Sequence, residues 1–201
     1  MVNRLKLLEE LKKHIVFTSK TINDITRKEK KYSNLILYRL KKTGYVNEIE
    51  RDKYTTYKDP FLIASRIVWP SYMSGWTALQ HYNLTEQIPQ IIEIVTTRSR
   101  KMRIIIFMGV KIEFSRIKQE YFFAYEKIDY GGHQIFMAKK EKALLDALFL
   151  KHISPQTFME IIEQNRKKIS IMKLKHYAGK MPKSFFSKIK KLIFNGGCYD
   201  R

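Results

Sequence analysis

The order of patterns in the first sixty residues constrains the fold more than any other feature of the chain. Leu5, Leu8 and Leu11 recur at helical spacing. Ile15-Val16-Phe17 has the composition of a short strand. Ser19 can cap a short helix over Thr21 to Thr26, and after a basic turn a longer helix runs to Gly44. Within it Ser33, Ile36, Leu37 and Leu40 form an inward stripe. Beyond Gly44, Tyr45 to Glu50 and Tyr54 to Tyr57 flank the turn Arg51-Asp52-Lys53, which is a hairpin pattern. Helix, short helix, longer helix and hairpin in this order predict a winged helix-turn-helix. Such a module can lay one helix in a major groove and a loop on a phosphate backbone.

Charge points the same way. The chain of 201 residues carries 39 Lys+Arg against 19 Asp+Glu, a formal charge of +20. Fifteen basic residues face 8 acidic ones over 1–60, 12 face 8 over 61–150, and 12 face 3 over 151–201. Both ends are therefore richer in positive charge than the middle. That imbalance favours a polyanionic partner and is an argument about association, not about fold. A lysine-rich source proteome is the lesser alternative, and it would produce part of the excess without any such partner. The single cysteine, Cys198, rules out an internal disulfide and fits a reducing cytosol. No apolar run approaches a membrane span and the N-terminus lacks a signal-peptide core, so the expected location is cytoplasmic, away from membranes.

The expected fold class is α+β, in three regions. Residues 1–60 form the winged helix-turn-helix DNA-binding domain. Residues 61–150 form an α+β core with a small, mainly antiparallel sheet, and residues 151–201 a basic helical region. Asp59-Pro60 opens a linker helix, and Ser71 caps a helix in which Tyr72, Trp76, Leu79 and Tyr82 share a face. Ile91 to Thr96, Met102 to Phe107, Val110 to Ile117 and Gln134 to Met137 are strand-length runs, with turns at Gly109 and Gly131-Gly132. Lys140 to Lys151 is a helix apolar nearly all round, and therefore buried. Ser154-Pro155, Ser170 and Pro182 each start a further helix, the last ending at Asn195-Gly196-Gly197.

Several chemistries compete for this chain. For DNA, Lys30, Lys31, Tyr32, Asn34, Tyr38, Arg39 and Lys42 line the outer face and entrance of the longer helix, where Lys28 also lies. Asn34 can pair with adenine and Arg39 can reach guanine or phosphate. Arg51 and Lys53 at the turn suit backbone contacts, which position without specifying sequence. A winged helix that serves only protein contacts is the alternative. Lys183, Lys188, Lys190 and Lys191 on the last helix could engage an acidic protein partner. Enzymatic motifs are lacking: there is no Gly-rich phosphate loop, cofactor fingerprint, metal-ligand spacing or nucleophile motif, and the five histidines are scattered. An RNA-binding or nuclease-like effector would draw on Glu113, Glu126, Asp129, Glu141 and Asp146. Asp146, lying in an apolar helix, needs an internal partner or else reaches for a partner's arginine. The aromatics Tyr121-Phe122-Phe123 and Tyr125 read as core rather than as a base-stacking platform.

The segment Trp69 to Leu84, WPSYMSGWTALQHYNL, resembles the P-S-Y-I-S…A-L-x-x-Y-G-L segment of AbiEi-type antitoxins. Val95 to Arg100, Phe122 to Tyr125 and Ala138 to Asp146 follow in that family's order, and the resemblance covers about residues 5–150. Asn83 stands where the family has Gly at a helix end, and Lys140 where it has Pro. The resemblance implies a transcriptional regulator of a type IV, abortive-infection toxin–antitoxin system. Its N-terminal domain would repress its own operon by binding the promoter region, as monomer or homodimer. The remainder would oppose a nucleotidyltransferase-like toxin, with or without direct contact.

Overall fold

The computed structural model of the chain describes residues 4–86 and 90–195, with side chains to residue 193. Cys198 and the Gly196-Gly197 stop lie outside the described residues. The chain is mixed α+β, with a two-stranded antiparallel sheet, a six-stranded mixed sheet and helices at both ends.

The opening residues build α1 (Arg4–Lys12), α2 (Ser19–Thr26) and α3 (Lys30–Lys42), followed by β1 (Asn47–Glu50) and β2 (Lys53–Thr55). Thr18, not Ser19, caps α2: its hydroxyl accepts from the Thr21 amide while Thr21 accepts from the Thr18 amide. Reciprocal bonding favours the residue that starts the helix one position earlier. Arg27 adopts a left-handed conformation at φ 53°, which ends α2 and redirects the chain into α3. Ser33 donates to Asn23 across the two helices. Leu7, Leu8, Leu11, Phe17, Ile22, Leu37, Leu40 and Val46 close a core of their own beneath them. The expected strand at Ile15 to Phe17 reduces to one bridge, Phe17 with Tyr54, made by amide–carbonyl bonds of 2.9 and 2.8 Å.

The hairpin joins this core to the next. Val46 belongs to the first cluster and Ile49, three residues on, to the second. Asp59 caps α4 (Pro60–Ala64) by accepting from the Phe61 amide at 2.8 Å. Leu62, Ile63 and Ala64 are buried in the second cluster, so α4 is core rather than linker.

The large sheet comprises β3 (Ser71–Met73), β4 (Ile91–Thr96), β5 (Ile104–Phe107), β6 (Val110–Arg116), β7 (Tyr125–Tyr130) and β8 (His133–Ala138), in the order β5-β6-β4-β3-β8-β7. Its six strands correct the small sheet expected, and it is mixed: β4 pairs in parallel with β6 and β3 with β8, while the other three pairs are antiparallel. Ser71 to Met73 is strand, which corrects the helix expected from Ser71. The helix α5 (Gly75–His81) begins only at Gly75, and Tyr72 is a buried residue of β3. Asn83 takes φ 52°, the left-handed conformation its position demands.

The helix α6 (Lys140–Phe149) is buried from Glu141 to Leu148 and packs against α5 and α8. Helices α7 (Pro155–Gln164), α8 (Ile171–Gly179) and α9 (Lys183–Asn195) follow, started by Ser154, Ser170 and Pro182. Phe158, Ile162, Leu174, Phe185 and Ile189 are buried with the sheet residues in one cluster. The basic region is thus integral to the second core.

Candidate nucleic-acid interface

The face of α3 opposite Ser33, Leu37 and Leu40 carries Asn34, Leu35, Tyr38, Arg39 and Lys42, all exposed. Lys30 and Lys31 are exposed at its N-terminus, Lys28 just before them, and Tyr32 is half-buried. No acidic residue occurs within α3. The structure therefore brings the helix residues singled out from sequence onto one accessible surface.

At the neighbouring turn the two candidates part. Arg51 is exposed. Lys53 is half-buried: its ammonium sits 2.9 Å from Glu50 and donates to the Ile67 carbonyl. The turn is held by Asp52, which adopts φ 57° and accepts from the Ser19 amide at 3.0 Å. Lys53 ties the hairpin to the segment beyond it, and Arg51 alone of the pair projects outward.

Glu50 has a second cation. Arg100 Nη2 lies 2.6 Å from its carboxylate, with both side chains largely buried. The Arg100 guanidinium also covers the Phe114 ring at 4.0 Å. Around it Arg98, Arg103 and Arg116 converge on a small cavity at the ends of β4 and β6. Sequence reading missed this cluster. Its signal was the density of arginine in Arg98-Ser99-Arg100, followed by Arg103 and Arg116 at strand boundaries.

The carboxylates singled out for other chemistries have internal partners. Asp146 and Lys142 are fully buried and paired one turn apart on α6. Asp146 also accepts from Tyr72 at 3.0 Å and Ser74 at 2.8 Å. Burial first, then the Asp146 charge, pushes the Tyr72 phenol well above its ordinary pKa, so it stays a donor. No external arginine can reach this carboxylate. The remaining carboxylates named for nuclease chemistry are dispersed. Glu113 pairs with Lys111, Glu126 accepts from Tyr82, Asp129 accepts from the Gly132 amide, and Glu141 accepts from the Ser170 amide. Among the described residues no three His, Cys, Asp or Glu side chains converge as a metal site would require. Of the aromatics, Phe122 is buried and Tyr72 stacks on Tyr125 with ring centres 5.0 Å apart, as core residues do.

Buried Glu93 and half-buried His152 form a second polar pair. His152 Nδ1 lies 2.8 Å from Glu93 Oε1, at ion-pair range but off the line of a hydrogen bond. The other carboxylate oxygen accepts from the Trp76 amide at 2.6 Å. Lys183, Lys188, Lys190 and Lys191 are exposed on α9, which packs on α7 and α8. Among the described residues no helix is long and apolar enough to cross a membrane.

No model of a known protein family matches the chain, and no curated protein matches it either. The resemblance described above therefore rests on the quoted residues alone.

Proposed function

We propose that residues 4–57 form a winged helix-turn-helix and that the protein is a DNA-binding transcriptional repressor. The observation that carries this is the outer face of α3. Asn34, Tyr38, Arg39 and Lys42 stand exposed on a helix without a single acid, with Lys30 and Lys31 at its start. Two lysines at the positive end of a helix dipole oppose it and become favourable when an anion docks there. Asn34 carries a donor and an acceptor and Arg39 a fork of donors, both suited to base edges, and Arg51 suits the backbone. The resemblance to AbiEi-type antitoxins adds the rest: autorepression of a toxin–antitoxin operon and opposition to a nucleotidyltransferase-like toxin, without catalysis by this chain and from the cytoplasm.

The test is fluorescence anisotropy of the full chain on the duplex upstream of its gene, with a shuffled duplex of equal composition as control, over a salt series. Preference for the native duplex that persists near physiological salt supports a specific regulator. Equal, steeply salt-dependent binding to both contradicts it.

A second reading places a partner surface on α9, favoured by four exposed lysines on a helix with no acidic residue. Removing residues 151–201 is unsuitable as a test, because it would strip Phe158, Leu174 and Ile189 from the core. Replacing the four lysines with serine keeps that core. If toxin neutralisation is lost and DNA binding kept, α9 is the contact surface.

A further inference from the structure

We propose that the cavity at the carboxyl ends of β4 and β6 binds a phosphate group. The two strands run parallel and end in register at Thr96 and Arg116, so both loops leave on the same side. Arg98, Arg100, Arg103 and Arg116 line the space, with Ser99 and Phe114, and no acidic side chain lines it. Its volume is about 80 Å³. That is far below the roughly 300–1,000 Å³ of an organic-ligand pocket. It exceeds the share of a single water, about 30 Å³. A tetrahedral oxyanion fits these bounds, with the rest of its molecule outside.

Three of the four arginines are anchored through Nε. Arg98 Nε donates to the Trp69 carbonyl at 3.3 Å, Arg116 Nε to the Thr97 carbonyl at 3.3 Å, and Arg100 Nε to the Met102 carbonyl at 3.2 Å. On Arg98 and Arg116 the bond fixes one edge of the guanidinium and leaves the Nη end for a ligand, whereas Arg100 also has its Nη2 on Glu50. A planar fork already fixed loses little freedom on binding an oxyanion, which it can grip with two parallel bonds. Within the cluster one carboxylate, Glu50 on β1, offsets one of four cations, and Lys53 shares that carboxylate. Without an anion the remaining guanidiniums repel one another. A bound phosphate offsets that repulsion at the place where the hairpin meets the sheet.

The shared chemistry is a phosphate oxygen, supplied either by a DNA backbone or by a free phosphorylated compound. The site stands independently of the role proposed for α3. The test uses the full chain and pyrophosphate at constant ionic strength, by calorimetry and thermal shift. The variants are Arg103→Gln and Arg116→Gln, which leave the Arg100–Glu50 contact in place. Wild type should bind saturably with a rise in Tm, and each variant should bind about tenfold more weakly. Salt dependence on duplex DNA separates the sources. A slope reduced by about one per arginine assigns the phosphate to nucleic acid. An unchanged slope with lost pyrophosphate binding assigns it to a free compound. No saturable pyrophosphate binding together with unchanged slopes overturns the proposal, as does pyrophosphate binding equal in wild type and variants. If Asn34→Ala and Arg39→Ala leave site discrimination intact while pyrophosphate still saturates, the α3 interface fails and the phosphate site survives.

Discussion

Two helices of this molecule carry charge in opposite ways. On α6, Lys142 and Asp146 are fully buried, paired with each other and flanked by Tyr72 and Ser74. On α3, Lys30, Lys31, Arg39 and Lys42 face solvent on a helix that offers them no acid. A buried pair has used its bonding capacity inside the protein and serves the fold. An exposed cationic face has not, and remains available to a ligand. Substitutions should therefore cost stability in one region and recognition in the other.

The largest effect belongs to the interior. Asp146→Ala leaves the Lys142 ammonium buried without its counter-ion and should cost about 3–5 kcal/mol in urea unfolding. Joint replacement by Lys142→Met and Asp146→Leu should recover part of that, because no charge is then stranded, although the Tyr72 and Ser74 hydroxyls still lose their acceptor. A loss below about 1 kcal/mol for the single variant would place the pair among dispensable surface bridges.

Gly75→Ala comes next. Gly75 has φ 56°, and an added Cβ would fall 1.7 Å from Glu93 Oε2, which the Trp76 amide holds in place while His152 sits against Oε1. Strain and overpacking together should cost about 2–4 kcal/mol, read from the same unfolding curves.

On α3 the expectation reverses. Asn34→Ala and Arg39→Ala should each reduce discrimination between native and shuffled duplex by about 1–3 kcal/mol if they make bidentate base contacts. Their stability should stay within about 0.5 kcal/mol of wild type. Losses in folding rather than in recognition would erase the contrast between the two helices. The turn gives a finer version of the same split. Arg51→Ala should lower the salt slope by about one unit, whereas Lys53→Ala should mainly destabilise the hairpin's attachment.

The smallest effect is a pH dependence. Burial alone would depress the His152 imidazole, but the Glu93 carboxylate overrides it and the net pKa is raised. The protonated form is therefore favoured in the folded state. The pair's stabilisation is complete below the unfolded value of about 6.5 and is lost as pH rises through the higher folded value. His152→Gln should lower Tm by about 2 °C at mildly acidic pH and by less in alkali. The opposite trend would show that burial dominates.

Much of the N-terminal unit was legible because helical spacing, caps and a turn are local signals. Leu37 and Leu40 fell inward and Asn34, Tyr38 and Arg39 outward as a 3.6-residue period requires. The large sheet was less legible. β3 is three residues long and polar at Ser71, and its place is fixed by β4 on one side and β8 on the other. β7 carries Glu126, Lys127 and Asp129, so its exposed faces hide the alternation that marks a strand. The partner of Asp146 was expected in kind, but Tyr72 and Ser74 lie more than seventy residues upstream. Lys53 looked like a free wing cation because the carbonyl of Ile67 that holds it is a backbone group no side-chain pattern announces.

The most direct test is amide chemical-shift mapping of the isotope-labelled full chain, titrated with the duplex upstream of its gene at near-physiological salt. The account predicts perturbations concentrated on residues 28–42 and at Arg51-Asp52, with the interior of α6 unmoved. Perturbations confined to residues 183–191, with α3 silent, would contradict it and move the interface to the other end of the chain.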